Sequence, residues 1–129
     1  VFTMSTVDPW WWSDAKPIWV EAEEAGIRSA NMFWPGSAVA WGGTMKRYGP
    51  VTDGEMAQDW VPFSMQINNT QRVQTVLDWL RRPADSRPAF VTLYFDTVDS
   101  AGHGGGVDGA QIDATLRDVD AHIDMLMNG

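Results

Sequence analysis

The sequence predicts an α/β protein, parallel strands with flanking helices, and three observations carry that expectation. Ala89 to Phe95 is a nearly continuous apolar, β-prone run, the pattern of a strand covered on both faces in a parallel sheet. Val73, Val76, Leu77 and Leu80, and later Ile112, Leu116, Val119, Ile123 and Leu126, recur at helical spacing. The elements run helix, strand, long loop, helix, strand, loop, helix, the alternation expected when helices cover a parallel sheet.

Val1 to Asp14 shows no period and holds Trp10, Trp11 and Trp12 behind Asp8-Pro9, so an irregular lead-in is expected. Pro17 suits the first turn of a short helix in which Ile18, Ala22 and Ala25 lie near one face. Gly26 suits the position just past its end, with Ile27 placed for the accompanying apolar contact. Ser29 to Trp34 reads as a strand stopped by Pro35-Gly36. Gly42 to Asn68 is too long for a plain connector and is expected to be a functional loop or excursion. Asn68 and Gln71 have capping-box spacing ahead of a helix that Pro83 ends, with Arg81 and Arg82 in its last turn. Asp96 to Val107 reads as a polar, glycine-rich loop. Asp108 and Gln111 again have capping-box spacing, and Asn128-Gly129 suits a helix end. Two strands alone would both be edges, so their neighbours are expected in sequence flanking residues 1–129.

The bulk properties exclude some partners. No apolar run approaches the length that spans a bilayer, and no basic-then-apolar leader is visible. A net charge of −8 argues against a nucleic-acid polymer as partner. It leaves a small anionic substrate open, because bound metal ions can invert the local field. The absence of cysteine removes disulfides, thiolate metal sites and a cysteine nucleophile. Eight tryptophans imply either a heavily aromatic core or a surface that stacks flat ligands.

In open α/β sheets ligands bind beyond the carboxyl ends of the strands, so the loop after Phe95 is the first place to look. There Asp99 and His103 stand four residues apart, and carboxylate oxygen and imidazole nitrogen both suit zinc. Gly102 would let the backbone bring the two together. Taken alone, one Asp and one His are too few for a site, and a solvated loop is the plainer reading.

The strand Phe90 to Phe95 followed by Asp99-Ser100-Ala101-Gly102-His103 resembles the D-S-x-G-H signature of the nucleotide pyrophosphatase/phosphodiesterase family, a branch of the alkaline phosphatase superfamily. Pro17-Ile18-Trp19, Phe33-Trp34-Pro35-Gly36-Ser37, the R-V-x-x-V-L-x-W-L string from Arg72 to Leu80 and the segment from Arg117 to Gly129 resemble family strings in the same order. The resemblance implies that residues 1–129 form a partial segment of an alkaline-phosphatase-like catalytic domain. It implies a hydrolase that cleaves phosphodiester or pyrophosphate bonds of nucleotides or related diesters, with two zinc ions in the full-length enzyme. Asp99 and His103 inherit ligation of one zinc. Phe63 falls where the family places a ring against the nucleotide base, Tyr94 matches a pocket tyrosine, and Trp34 and Pro35 would shape the pocket wall; a core position is the plainer reading of Phe63, and a covered strand residue that of Tyr94.

The family's threonine nucleophile and remaining metal ligands have no counterpart here, so the segment alone is expected to be inactive. A periplasmic or extracellular location follows from family habit alone. Gly104-Gly105 and Val107 depart from the family's H-x-x-G-P pattern, and the glycines could displace His103. Asp53, Glu55 and Asp59 fit no EF-hand spacing, and His122 reads as a boundary residue of the last helix. Two other readings stay open: another hydrolase of the superfamily, such as a monoesterase or a phospholipid-headgroup phosphodiesterase, and a non-catalytic ligand-binding or interaction module on the same scaffold.

Overall fold

A computed structural model describes residues 1–3, 5–43 and 53–129. Three parallel strands form a sheet in the order β2-β1-β3, with β1 at Ser29–Met32, β2 at Asp59–Val61 and β3 at Phe90–Leu93. The parallel pairing of the two expected strands holds, in the register Ser29 opposite Phe90 and Met32 opposite Leu93. The third strand was not foreseen. It lies inside the long segment after Gly42, whose residues 44–52 fall outside the described ones, and Trp41 pairs with Glu55 across that excursion. At three residues it is too short for a period-2 pattern to be readable.

Side chains of β1 alternate between the faces of the sheet. Ala30 and Met32 join Val76 and Trp79 of α2 (Asn69–Leu80), whereas Ser29 faces α1 (Ile18–Glu24), where its hydroxyl donates to the Glu23 carboxylate at 2.6 Å. Every residue of β1 is fully buried. The expectation that Ala89 to Phe95 is the doubly covered strand is corrected, because all four residues of β3 are half-buried. β3 lies at the edge of the described sheet, so covering comes to β1 instead.

Local chemistry explains the helix ends. The Asn68 side chain accepts from the Gln71 amide at 2.9 Å, and the Gln71 side chain accepts from the Asn68 amide at 3.0 Å, completing the expected capping box. After α1, Gly26 takes φ 74° and the Ile27 amide reaches back to the Ala22 carbonyl at 2.8 Å. The buried face of α1 is Trp19 and Val20, however, and Ile18 is 59% exposed. In a helix of two turns the strand beneath sets the orientation, not a period too short to define a face.

Two further expectations fail at the carboxyl end of β3. Residues Thr97–Gly105 form a helix, α3, instead of a loop, and α4 follows at Ala110–Asn128. Glycines weaken α3 intrinsically, but packing along α4 buries Ala101 and overrides propensity. The N-cap of α4 is Gly109, one residue past Asp108, so the Asp108–Gln111 capping box does not form. Along α4, Ile112, Val119 and Leu126 are half-buried while Leu116 and Ile123 are exposed, and no residue is fully buried.

Apolar surface therefore remains at Leu116, Ile123 and Met127, at Trp10 and Trp11, and beside the outer edge of β3. Such surfaces favour association. The purified chain is expected to elute from a sizing column as an associated species that binds a hydrophobic dye. A monodisperse monomer with a sharp two-state melt would show that these faces need no cover. Replacing Asn68→Ala should lower stability by about 1 kcal/mol in a denaturant titration, through loss of the cap.

Candidate functional site

Asp99 and His103 sit one turn apart on α3, which leaves the carboxyl end of β3. The helix does the convergence that the sequence assigned to a tight loop turning at Gly102, since residues four apart share a helix face. His103 Nε2 lies 3.5 Å from Asp99 Oδ1, and both side chains are largely exposed. Two ligands of a tetrahedral zinc, bonded at about 2.0–2.2 Å, stand about 3.3–3.6 Å apart. The pair therefore fits two corners of such a site. Gly104 and Gly105 fall in the last turn of α3 and Gly106 ends it at φ 79°, so His103 is carried on a helix and not on a glycine loop. Among the described residues no group of three or more His, Asp or Glu side chains converges on one point.

The aromatic residues gather at the neighbouring end of β1. Phe33, just past the strand, is fully buried at φ 64°, a conformation that costs a non-glycine residue about 1–3 kcal/mol. Its amide donates to the Val61 carbonyl at 3.1 Å and its ring lies 4.5 Å from that of Phe63. This kink turns Trp34 outward, where it meets Tyr94 edge-on at 6.1 Å. Trp34 and Phe63 line a cavity of about 60 Å³, with Ser5 to Val7 of the lead-in as its other wall. Pro35 is half-buried and does not line it. A cavity that size is far below the roughly 300–1,000 Å³ of ligand pockets, so a planar ring would stack on the exposed side of Trp34 or displace the lead-in.

A larger groove of about 490 Å³ opens where α2, α3 and α4 meet; Arg72, Asp96 and Thr97 line it, while Asp99, His103, Trp34 and Phe63 do not. Asn69 crosses it, donating to Thr97 Oγ1 at 3.2 Å and to Asp118 Oδ2 at 3.0 Å. His122 Nδ1 donates to the Asp118 carbonyl at 2.6 Å, and Nε2 lies 2.9 Å from the Thr70 hydroxyl. These contacts brace the three helices and give His122 the boundary position expected of it.

The sequence missed Arg72, which it registered only as the first letter of a helical string. Arg72 is 3% exposed, and its guanidinium pairs with Asp96 at 2.7 Å and thereby fixes the residue from which α3 starts. An arginine on an otherwise apolar helix face was the available signal.

Parallel strands in the order β2-β1-β3 with helices on their flanks define an α/β scaffold, a class in which ligands bind beyond the carboxyl ends of the strands. All 129 residues match the model of the family described as type I phosphodiesterase/nucleotide pyrophosphatase, and the chain belongs to that family. It is 37% identical over 118 residues to human ectonucleotide pyrophosphatase/phosphodiesterase family member 1, covering 92% of this chain and 12% of that protein. It is 35% identical over 131 residues to mouse family member 3, covering 99% of this chain and 14% of that one. The chain thus spans roughly an eighth of the length of these curated relatives. Murine ectonucleotide pyrophosphatase/phosphodiesterase 5 superposes with a TM-score of 0.79 at 24% identity, over 97% of this chain and 30% of that one. An inactive variant of that protein in complex with AMP superposes equally well. The fold is accordingly the expected part of an alkaline-phosphatase-like architecture.

Gly36 anchors the turn that presents Trp34. It takes φ 81°, and a Cβ there would stand 2.6 Å from the Trp12 ring. Gly36→Ala is expected to destabilise the chain by more than about 1 kcal/mol and to shift tryptophan emission, because strain and collision both act at the turn. An unchanged melt and spectrum would mean that the lead-in does not pack on it.

Proposed function

We propose that this chain contributes one metal-binding carboxylate–imidazole pair and part of a nucleotide pocket to a hydrolase that cleaves phosphodiester or pyrophosphate bonds of nucleotides or related diesters. The observation that carries the reading is the 3.5 Å approach of His103 Nε2 to Asp99 Oδ1 on α3, in a chain of the phosphodiesterase family. Asp99 and His103 would hold a zinc ion together with ligands from outside this chain. A zinc ion bound there would supply stabilisation of negative charge on phosphoryl and leaving-group oxygens. Phe63, Trp34, Pro35 and Tyr94 would receive the base, and stacking on an aromatic face suits any purine or pyrimidine. The AMP complex of a structural neighbour makes AMP a suitable probe.

The chain's own part is to bind and orient. The nucleophile and the remaining ligands of the two-zinc centre would come from the rest of the enzyme. Two protein ligands leave a tetrahedral zinc half satisfied, so affinity should be weak and catalysis absent. Calorimetric titration of the chain with zinc chloride is expected to give binding that falls at least about tenfold in Asp99→Ala and in His103→Ala, because each removes half of the donor set. Equal affinity in the variants would remove the pair from the metal site. No nitrophenol should be released from a nitrophenyl nucleotide ester, and release abolished by Asp99→Ala would place a nucleophile within these residues.

A further inference from the structure

The aromatic pocket and the helix that carries Asp99 and His103 meet at one buried cation. Arg72 Nε donates to the Ile67 carbonyl at 3.0 Å, and Nη1 donates to the Tyr94 carbonyl at 3.2 Å and to Asp96 Oδ1 at 2.7 Å. The guanidinium carbon lies 3.7 Å from the centroid of the Phe33 ring, which also lies 4.5 Å from that of Phe63. One side chain thus grips the kink that turns Trp34 outward, the strand end bearing Tyr94, and the residue that begins α3. The Asp96 carbonyl in turn accepts from the Ser100 amide at 3.0 Å, the first hydrogen bond of that helix.

We propose that Arg72 is a positioning residue that holds the base-stacking rings and the Asp99–His103 pair in one fixed relation. The ligands follow from the functional reading above; the coupling rests on this geometry alone. Arginine is required because a planar fork can lie on a ring while its edge donates in several directions. A lysine would preserve the charge opposite Asp96 and lose both the stack and the fork. The guanidinium adds to the core packing and the amide hydrogen bond to Val61 that hold Phe33 in its left-handed conformation. Loosening Arg72 should therefore release Trp34 and α3 together.

The test compares the full chain with Arg72→Lys and Asp96→Asn by hydrogen exchange without ligand, and then by titration with AMP and with zinc chloride. In Arg72→Lys, exchange should rise about tenfold both in residues 33–37 and in residues 97–105, while the middle of α2 stays protected. In Asp96→Asn the cation remains on Phe33, so α3 should loosen and residues 33–37 should not. AMP and zinc affinities should each fall about tenfold in Arg72→Lys, from loss of the stack and fork. Protection unchanged in either segment of Arg72→Lys would overturn the proposal, as would equal loosening of both segments in Asp96→Asn. If Arg72→Lys fails to fold, the Asp96→Asn pattern decides alone. Absence of AMP binding in the unaltered chain, alongside the expected exchange pattern, would refute the nucleotide reading and leave the role of Arg72 standing.

Discussion

The structure depends on the complete burial of β1. All four of its residues pair with β3, Ala30 to Met32 pair also with β2, and the strand lies under a helix on each face. A strand so enclosed must satisfy every polar group internally, since an unpaired buried group costs about 1–3 kcal/mol. The surroundings meet most of that demand, and among the described residues Asn31 Nδ2 is the group of this strand left without a side-chain hydrogen-bond partner. Glu23 accepts from the Ser29 amide and hydroxyl, both at 2.6 Å, and from the Gln58 amide at 3.2 Å. Thr92 donates to Asn31 Oδ1 at 2.7 Å across the β1–β3 pair. Small and polar residues at Ser29, Ala30 and Asn31 are what two close layers of helix permit.

The ends of this strand have different chemistry. At its amino end, Asp59 of β2 accepts from Arg82 at 2.8 Å and from Arg28 at 3.4 Å, drawing the turn after α2 onto the sheet. At its carboxyl end the chain leaves β1 through the strained Phe33 and leaves β3 through Asp96, and Arg72 spans the two. Breaking a buried ion pair by removing one partner costs about 3–5 kcal/mol, so that end is held far more rigidly than surface ion pairs would hold it. The rigidity sits where open α/β sheets receive ligands. Every residue proposed to bind metal or base is on an element that begins or ends there.

Much of the fold was legible because it rests on patterns local to one element. The capping box of α2 needs only Asn68 and Gln71 at the right spacing, and the glycine end of α1 needs only Gly26. The failures share a physical cause. Ile18 and Trp19 both read as apolar, and which one faces the core depends on the strand beneath α1. Leu116 and Ile123 fit the stripe of α4, but the described chain covers only its other flank. The glycines of α3 argue for a loop until α4 is present to bury Ala101.

For the site, the sequence by itself determined the donor types and their spacing: an aspartate and a histidine four residues apart after an apolar, β-prone run, and a Phe-Trp-Pro-Gly turn after another. Those are covalent facts, fixed whatever the chain folds into. Tertiary structure alone decided that a helix, not a loop, brings Asp99 to His103, and that Trp34 is turned out by a kink at Phe33. It also gave Arg72 its place between the two groups. Its partners lie five, twenty-two, twenty-four and thirty-nine residues away along the chain at Ile67, Tyr94, Asp96 and Phe33. No local pattern encodes contacts at such separations, because they exist only once the sheet has brought the ends of β1 and β3 together.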